Sequence, residues 1–178
     1  MPKRESFVPI KPATGITEVD ALIEKLPQDV LARVGEIYDT YLKINTIKPV
    51  KQLSTDSLDI PNSISSLLST ELGDLHGRYA AWYSYFIDRI KFLRVASTVI
   101  GEELRILYAG HFVSYEKGMT VEVKKLKAET EPDYRAMRVH QTRVDAAIAA
   151  LDEDIRKMDK MLSVLSRETS RREHNAGY

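Results

Sequence analysis

With 178 residues, 43% of them hydrophobic and 29% charged, the chain is long enough for one packed core with tails. Its 26 basic residues balance its 26 acidic ones, so bulk electrostatics selects neither an acidic nor a basic partner, and any nucleic-acid contact must come from a local patch. There are no cysteines, which excludes a disulfide framework and thiolate zinc sites and suits a cytoplasmic setting.

Met1 to Lys11 is basic but no apolar run follows it, so it does not read as a signal peptide. Residues 1–17 carry Pro2, Pro9, Pro12 and Gly15 and read as an extended or disordered arm. Beyond Pro27, the residues Val30, Leu31, Val34, Ile37, Tyr38 and Tyr41 recur at helical spacing and predict a short amphipathic helix. Residues 46–62, with Pro49, Pro61 and several Ser and Thr, read as a linker. The chain thus divides into an N-terminal region, 1–62, and a long-helix region, 63–178.

A long helix is predicted from about Ser63 to about Ala109, closed by Gly110 as a left-handed C-cap. Gly73, Gly77 and Gly101 each cost up to about 1 kcal/mol relative to alanine, which predicts weak or kinked early turns. Its apolar stripe is Leu72, Leu75, Tyr79, Trp82, Phe86, Leu93, Ala96, Ile100 and Leu107. The flanks, among them Tyr83, Tyr85, Ile90, Phe92, Val99, Leu104 and Ile106, are apolar or aromatic too. A helix apolar nearly all round must be covered on more than one side. That predicts a homo-oligomer with Trp82, Phe86, Ile90, Leu93, Ile100, Leu104 and Leu107 at the subunit interface. The alternative is a monomer whose N-terminal helix covers the second face. Asp88, Arg89, Lys91 and Arg94 interrupt the most apolar window, Tyr79 to Ile100, so no membrane span is predicted. The aromatics of this helix alternate with Arg78, Arg89, Lys91 and Arg94, a pattern that could stack bases and hold phosphates, although aromatics at helical spacing more often form core.

His111 to Thr120 reads as a turn. Val121 to Ala128 reads as a short lysine-rich helix, with a strand as the alternative. Glu131-Pro132 marks the next start, because proline suits the first turn of a helix. From about Asp133 to about Arg172, the residues Tyr134, Met137, Gln141, Val144, Ile148, Leu151, Ile155, Met158, Leu162 and Leu165 follow at alternating steps of three and four. Such a heptad seam needs a partner helix. Beside it lie Asp145, Asp152, Asp154, Asp159 and Glu168, with Arg138 against them. Arg135, Arg143, Arg156, Lys157, Lys160, Arg167 and Arg171 lie on the far side, opposed by Glu153. These cations either solvate an exposed face and pair along the helix, or form a phosphate track.

The fold class expected is all-α: a hairpin of two long helices with heptad packing, plus a short N-terminal helix. His76, His111, His140 and His174 are scattered without zinc-site spacing, and no phosphate loop, GxSxG or dinucleotide turn occurs. No enzyme, metal or cofactor is predicted.

The order of features, with Arg78-Tyr79-Ala80-Ala81-Trp82 early in the long helix and Leu107-Tyr108-Ala109-Gly110 at its end, resembles the UvsY family of phage recombination mediators. The segment Lys124-Lys125-Leu126-Lys127-Ala128-Glu129-Thr130-Glu131 and the charged Ser166-Arg167-Glu168-Thr169-Ser170-Arg171-Arg172 are similar to that family's second half. The resemblance spans roughly residues 70–173. It implies an oligomeric ring that binds single-stranded DNA. Such a ring helps a RecA-type recombinase replace the single-strand binding protein, in the cytoplasm of an infected bacterium and without a cofactor. The family carries Lys and Arg just before its Tyr-small-Gly, where this chain has Glu102-Glu103-Leu104-Arg105. The DNA contacts expected are therefore Arg105, the cluster Lys124, Lys125 and Lys127, and the basic face Arg135, Arg143, Arg156, Lys157, Lys160, Arg167 and Arg171. The competing reading is a coiled-coil structural or adaptor protein of phage assembly that never touches DNA.

Overall fold

The computed structural model describes residues 19–44 and 64–176, and every regular element among them is helical. The protein is all-α. The arm expected at 1–17 and the linker expected at 46–62 lie outside the described residues.

Helix α1, Gln28–Ile44, starts directly behind Pro27, whose carbonyl accepts the Leu31 N–H at 2.9 Å. Asp29 in the first turn complements the partial positive charge of the helix start. A 3-10 turn, Ile64–Ser66, precedes α2, Ser69–Ser114. The Leu68 N–H donates to the Glu71 carboxylate at 2.7 Å, the return arm of a capping box that fixes where α2 begins. Helix α3, Val121–Thr130, is capped by Thr120, whose hydroxyl accepts the Val123 N–H at 3.4 Å. Helix α4, Pro132–Ala176, places Pro132 in its first turn, where a missing N–H costs nothing.

Both ends of α2 differ from expectation, and its start is at Ser69, behind the 3-10 turn, where the sequence predicts about Ser63. Gly110 does not end α2, which continues to Ser114, and no described glycine has positive φ. Contacts outweigh the propensity of one glycine: Phe112 stacks on Tyr108 at 6.0 Å, and His111 pairs with Asp133 at 2.9 Å. The helix also runs without interruption through Gly73, Gly77 and Gly101.

Contacts divide the chain into two units. In the first, the described residues are 19–20, 64–88 and 153–176. Leu72, Leu75, Tyr79, Trp82, Tyr85 and Phe86 of α2 are buried there, as are Met158, Met161 and Leu165 of α4. The Tyr85 hydroxyl donates to Asp20 at 3.1 Å. Arg172 donates to the carbonyls of Leu67 and Ile64 at 2.8 and 3.1 Å, which anchors the turn before α2 to the end of α4.

In the second unit, described over residues 21–44 and 89–152, α2 and α4 run antiparallel. Arg94 meets Asp152, Ser97 meets Asp145 and His111 meets Asp133, so numbering rises on one helix as it falls on the other. Two of the acids flanking the α4 seam, Asp145 and Asp152, are thus turned towards donors on α2. Helix α1 lies against α2: Val30 and Val34 are fully buried, Tyr38 meets Phe92 edge-on at 5.3 Å, and Arg33 pairs with Glu102 and Glu103.

Along α4 the fully buried seam residues Val144, Leu151, Met158 and Leu165 recur at steps of seven. The residues assigned from sequence to a subunit interface are covered within the single chain. Trp82, Phe86, Ile90, Leu93, Ile100 and Leu104 are all buried, with Leu93 and Ile100 at 0% exposure, and Leu107 is half-buried. The apolar character of α2 therefore needs no second subunit to explain it, because the chain's own helices take up those faces.

Candidate nucleic-acid interface

The buried core of the second unit stops short of the end where α2, α3 and α4 are joined. The last buried residue of α2 is Leu104 and the first of α4 is Val144, with Ala128 of α3 the one buried residue between them in the sequence. Two clefts open around this end of the unit. One, of about 360 Å³, is lined by Gly101, Leu104, Arg105, Tyr108, Tyr134, Arg138 and Gln141. The other, of about 510 Å³, is lined by Glu129, Tyr134, Arg135, Arg138, Val139, Thr142 and Arg143. They share Tyr134 and Arg138, so four arginines and one glutamate surround a common tyrosine.

The acids that could neutralise these arginines are engaged elsewhere. Arg33 of α1 pairs with both Glu102 and Glu103, the two acids beside Arg105 in sequence. Asp133 accepts from His111 at 2.9 Å and from the Tyr134 N–H at 2.7 Å. Those bonds, the histidine's first, hold its carboxyl below the ordinary range. Glu131 accepts the Tyr115 hydroxyl at 2.6 Å. Partial burial and that carboxylate push Tyr115 up to about 12. Among the described residues, Arg105, Arg135 and Arg143 are exposed and have no ion pair, while Arg138 donates to the Gln141 amide oxygen. Together the linings of the two clefts hold four guanidiniums and one carboxylate, a formal charge of +3 (4 − 1), while Arg33 offsets one of the two charges of Glu102 and Glu103 nearby.

The lysine cluster behaves differently. Lys124 donates to the Tyr115 carbonyl at 3.1 Å and sits 5.8 Å from the Phe112 ring centroid. Lys127 sits 5.7 Å from the Tyr115 ring. These two cations brace α3 against the preceding turn, and Lys125 is left exposed without an ion pair among the described residues. The basic face of α4 in the first unit is partly engaged as well. Lys157 is held by Glu153 at 2.8 Å, and hydrogen bonding to that carboxylate raises its pKa. Arg171 is held by Glu168. Arg156, Lys160 and Arg167 stay exposed there without an ion pair among the described residues.

Sequence patterning finds Arg105, Arg135 and Arg143 but assigns Arg138 to the flank of the seam, and Tyr134 and Gln141 to the seam itself. The signal that points to Arg138 is its spacing from Arg135, three residues along one helix face. The aromatics Tyr79, Trp82, Tyr85 and Phe86, considered for base stacking, are buried and unavailable for it. Among the described residues no cluster of His, Asp or Glu could hold a metal ion, and no helix is long and apolar enough to cross a membrane. No protein-family model, curated protein or solved structure matches this chain.

Proposed function

We propose that this chain binds single-stranded DNA through the arginine-lined clefts of its second unit and acts, without catalysis of its own, as a recombination mediator. In that role it would load a RecA-type recombinase onto strands covered by single-strand binding protein, in the cytoplasm of an infected bacterial host. The observation that carries the reading is the disposition of charge. Arg33 pairs with Glu102 and Glu103, so Arg105 joins Arg135, Arg138 and Arg143 as cations lining two adjoining clefts that hold a single carboxylate, Glu129. Guanidiniums beside tyrosines suit a flexible anionic strand, whose phosphates take the charge and whose bases offer faces to the rings. The order of motifs shared with the UvsY family supports the mediator role.

Exposed apolar residues in the same unit favour a second activity, contact with a protein. Ile106, Val113 and Leu126 are 61%, 80% and 65% exposed. Homo-oligomerisation, which the family resemblance implies, would draw on such residues and not on the buried α2 stripe. In the competing structural-adaptor reading these residues are the whole function and DNA is never touched.

The deciding experiment is binding of a labelled single-stranded oligonucleotide across a salt series, alongside mass by light scattering, followed by a strand-exchange assay with a RecA-type recombinase and single-strand binding protein. Salt-sensitive binding, tighter than to duplex, is the expected result. A chain that ignores DNA even at low salt leaves the adaptor reading in place.

A further inference from the structure

The smaller cleft has more in it than phosphate binding requires. Its volume of about 360 Å³ falls at the small-ligand end of pocket sizes. Leu104, Tyr108 and Tyr134 give it an apolar, aromatic wall, and Arg105 and Arg138 stand at the same opening. Both rings are set in place by their neighbours. Tyr108 stacks on Phe112 with an interplanar angle of 21°, and Tyr134 lies 6.3 Å from Tyr108, tilted by 55°. A Cβ on Gly101 would come within 3.7 Å of the Gln141 side-chain nitrogen, so the missing side chain keeps that side of the cleft clear. The Gln141 oxygen accepts from Arg138, which turns its NH₂ towards Gly101, and among the described residues that NH₂ has no acceptor.

We propose that this cleft seats one unpaired nucleobase, lying against the Tyr108–Tyr134 pair with an acceptor edge on the Gln141 NH₂, while Arg105 and Arg138 hold the flanking phosphates. The inference rests on the DNA-binding reading above and adds how the site tells a single strand from a duplex. In a duplex the bases are stacked and paired, so none can enter, whereas a single strand can turn one in at little cost. Tyrosine stacking accepts any base, so the site discriminates strandedness with little regard to sequence.

The test compares a fluorescent thymidine oligonucleotide with an abasic strand of equal length, which keeps the phosphates and lacks the bases. The wild-type chain is expected to bind the base-bearing strand about tenfold more tightly, within the range measured for stacking on one aromatic ring. Tyr134→Leu should bind both strands alike, at the affinity the wild-type chain has for the abasic one, and Tyr134→Phe should keep the preference. Gly101→Leu fills the cleft from the opposite wall and should also abolish the preference, so the test does not depend on a single variant. Far-UV circular dichroism checks that each variant stays helical. Equal, salt-sensitive binding of both strands by the wild-type chain overturns the base seat and leaves the phosphate reading standing. A preference that survives both Tyr134→Leu and Gly101→Leu overturns it too. Salt-insensitive or absent binding of both strands overturns the DNA reading itself.

Discussion

Replacing Arg105, Arg135, Arg138 and Arg143 together by glutamine should flatten the salt dependence of DNA binding while leaving the helices intact. All four line the clefts of the second unit, against one carboxylate, Glu129. Each phosphate neutralised on a single strand adds about 0.7 to the log–log salt slope, so four contacts supply a slope of about 2.8. Raising salt fourfold, from about 50 to 200 mM, should then weaken wild-type binding about fiftyfold and the quadruple variant far less. Each single Arg→Gln change should remove about 0.7 from the slope. Fluorescence anisotropy of a labelled oligonucleotide reads all of these. Arg33→Ala supplies an independent arm, because Arg33 lines neither cleft but holds Glu102 and Glu103. Releasing those acids makes the surroundings of Arg105 one charge more negative and should weaken binding without removing a contact. A quadruple variant with the wild-type slope refutes the assignment. If the slope is lost instead in a variant lacking Arg156, Lys160 and Arg167, the contact belongs to the exposed face of α4 in the first unit.

Three further outcomes are expected. Leu93 is fully buried within the chain, so Leu93→Ala should cost about 2–5 kcal/mol in urea unfolding without changing the mass in solution; a lower mass at undiminished stability would restore Leu93 to a subunit interface. Glu168 accepts from Arg171 and Arg172, which draw its carboxyl down to about 2. A depressed folded value stabilises above the unfolded value of 4.5 and loses that contribution as pH falls through about 2. Glu168→Gln should therefore lower the urea midpoint at pH 7 and converge with wild type in strong acid; a difference that persists there means that the contribution is not electrostatic. Tyr115, pushed up to about 12, has a raised folded value, so its contribution is full below 10 and is lost as pH rises through about 12. Glu131→Gln should bring one tyrosine's ionisation, followed by ultraviolet absorbance, back towards 10; an unmoved titration removes Glu131 as a cause.

The fold was legible where periodicity and punctuation agree. The helix after Pro27, the Glu131-Pro132 start and the α4 seam all follow from local rules, because caps and apolar spacing are properties of neighbouring residues. Gly110 misled for the same reason: local chemistry favours a stop there, and the contacts of His111 and Phe112, made with residues distant or on the same face, carry the helix onward. The interface assignment rests on a count of faces. An all-round apolar α2 demands cover on several sides, and sequence cannot say whether the cover comes from α1 and α4 or from another subunit. Val30, Val34 and Tyr38 of α1 supply part of it in the second unit.

The site was legible as a set of cations and hidden as an arrangement. Whether a lysine or arginine can meet a phosphate depends on what its neighbours already hold, and those neighbours come from other helices. Lys124, Lys125 and Lys127 form the densest basic run in the sequence, yet Lys124 and Lys127 are turned onto the Tyr115 carbonyl and onto aromatic rings. Arg105 stands beside two acids in sequence, yet both are drawn off by Arg33, 69 residues from Glu102. A charge count along the chain therefore favours the lysine run over Arg105. Pairing points the other way: Arg105 is exposed without an ion pair among the described residues, whereas Lys124 and Lys127 rest on a carbonyl and on aromatic rings. On the proposed DNA-binding reading, the basic residues worth mutating first are those of the clefts, with Lys124 and Lys127 as the control.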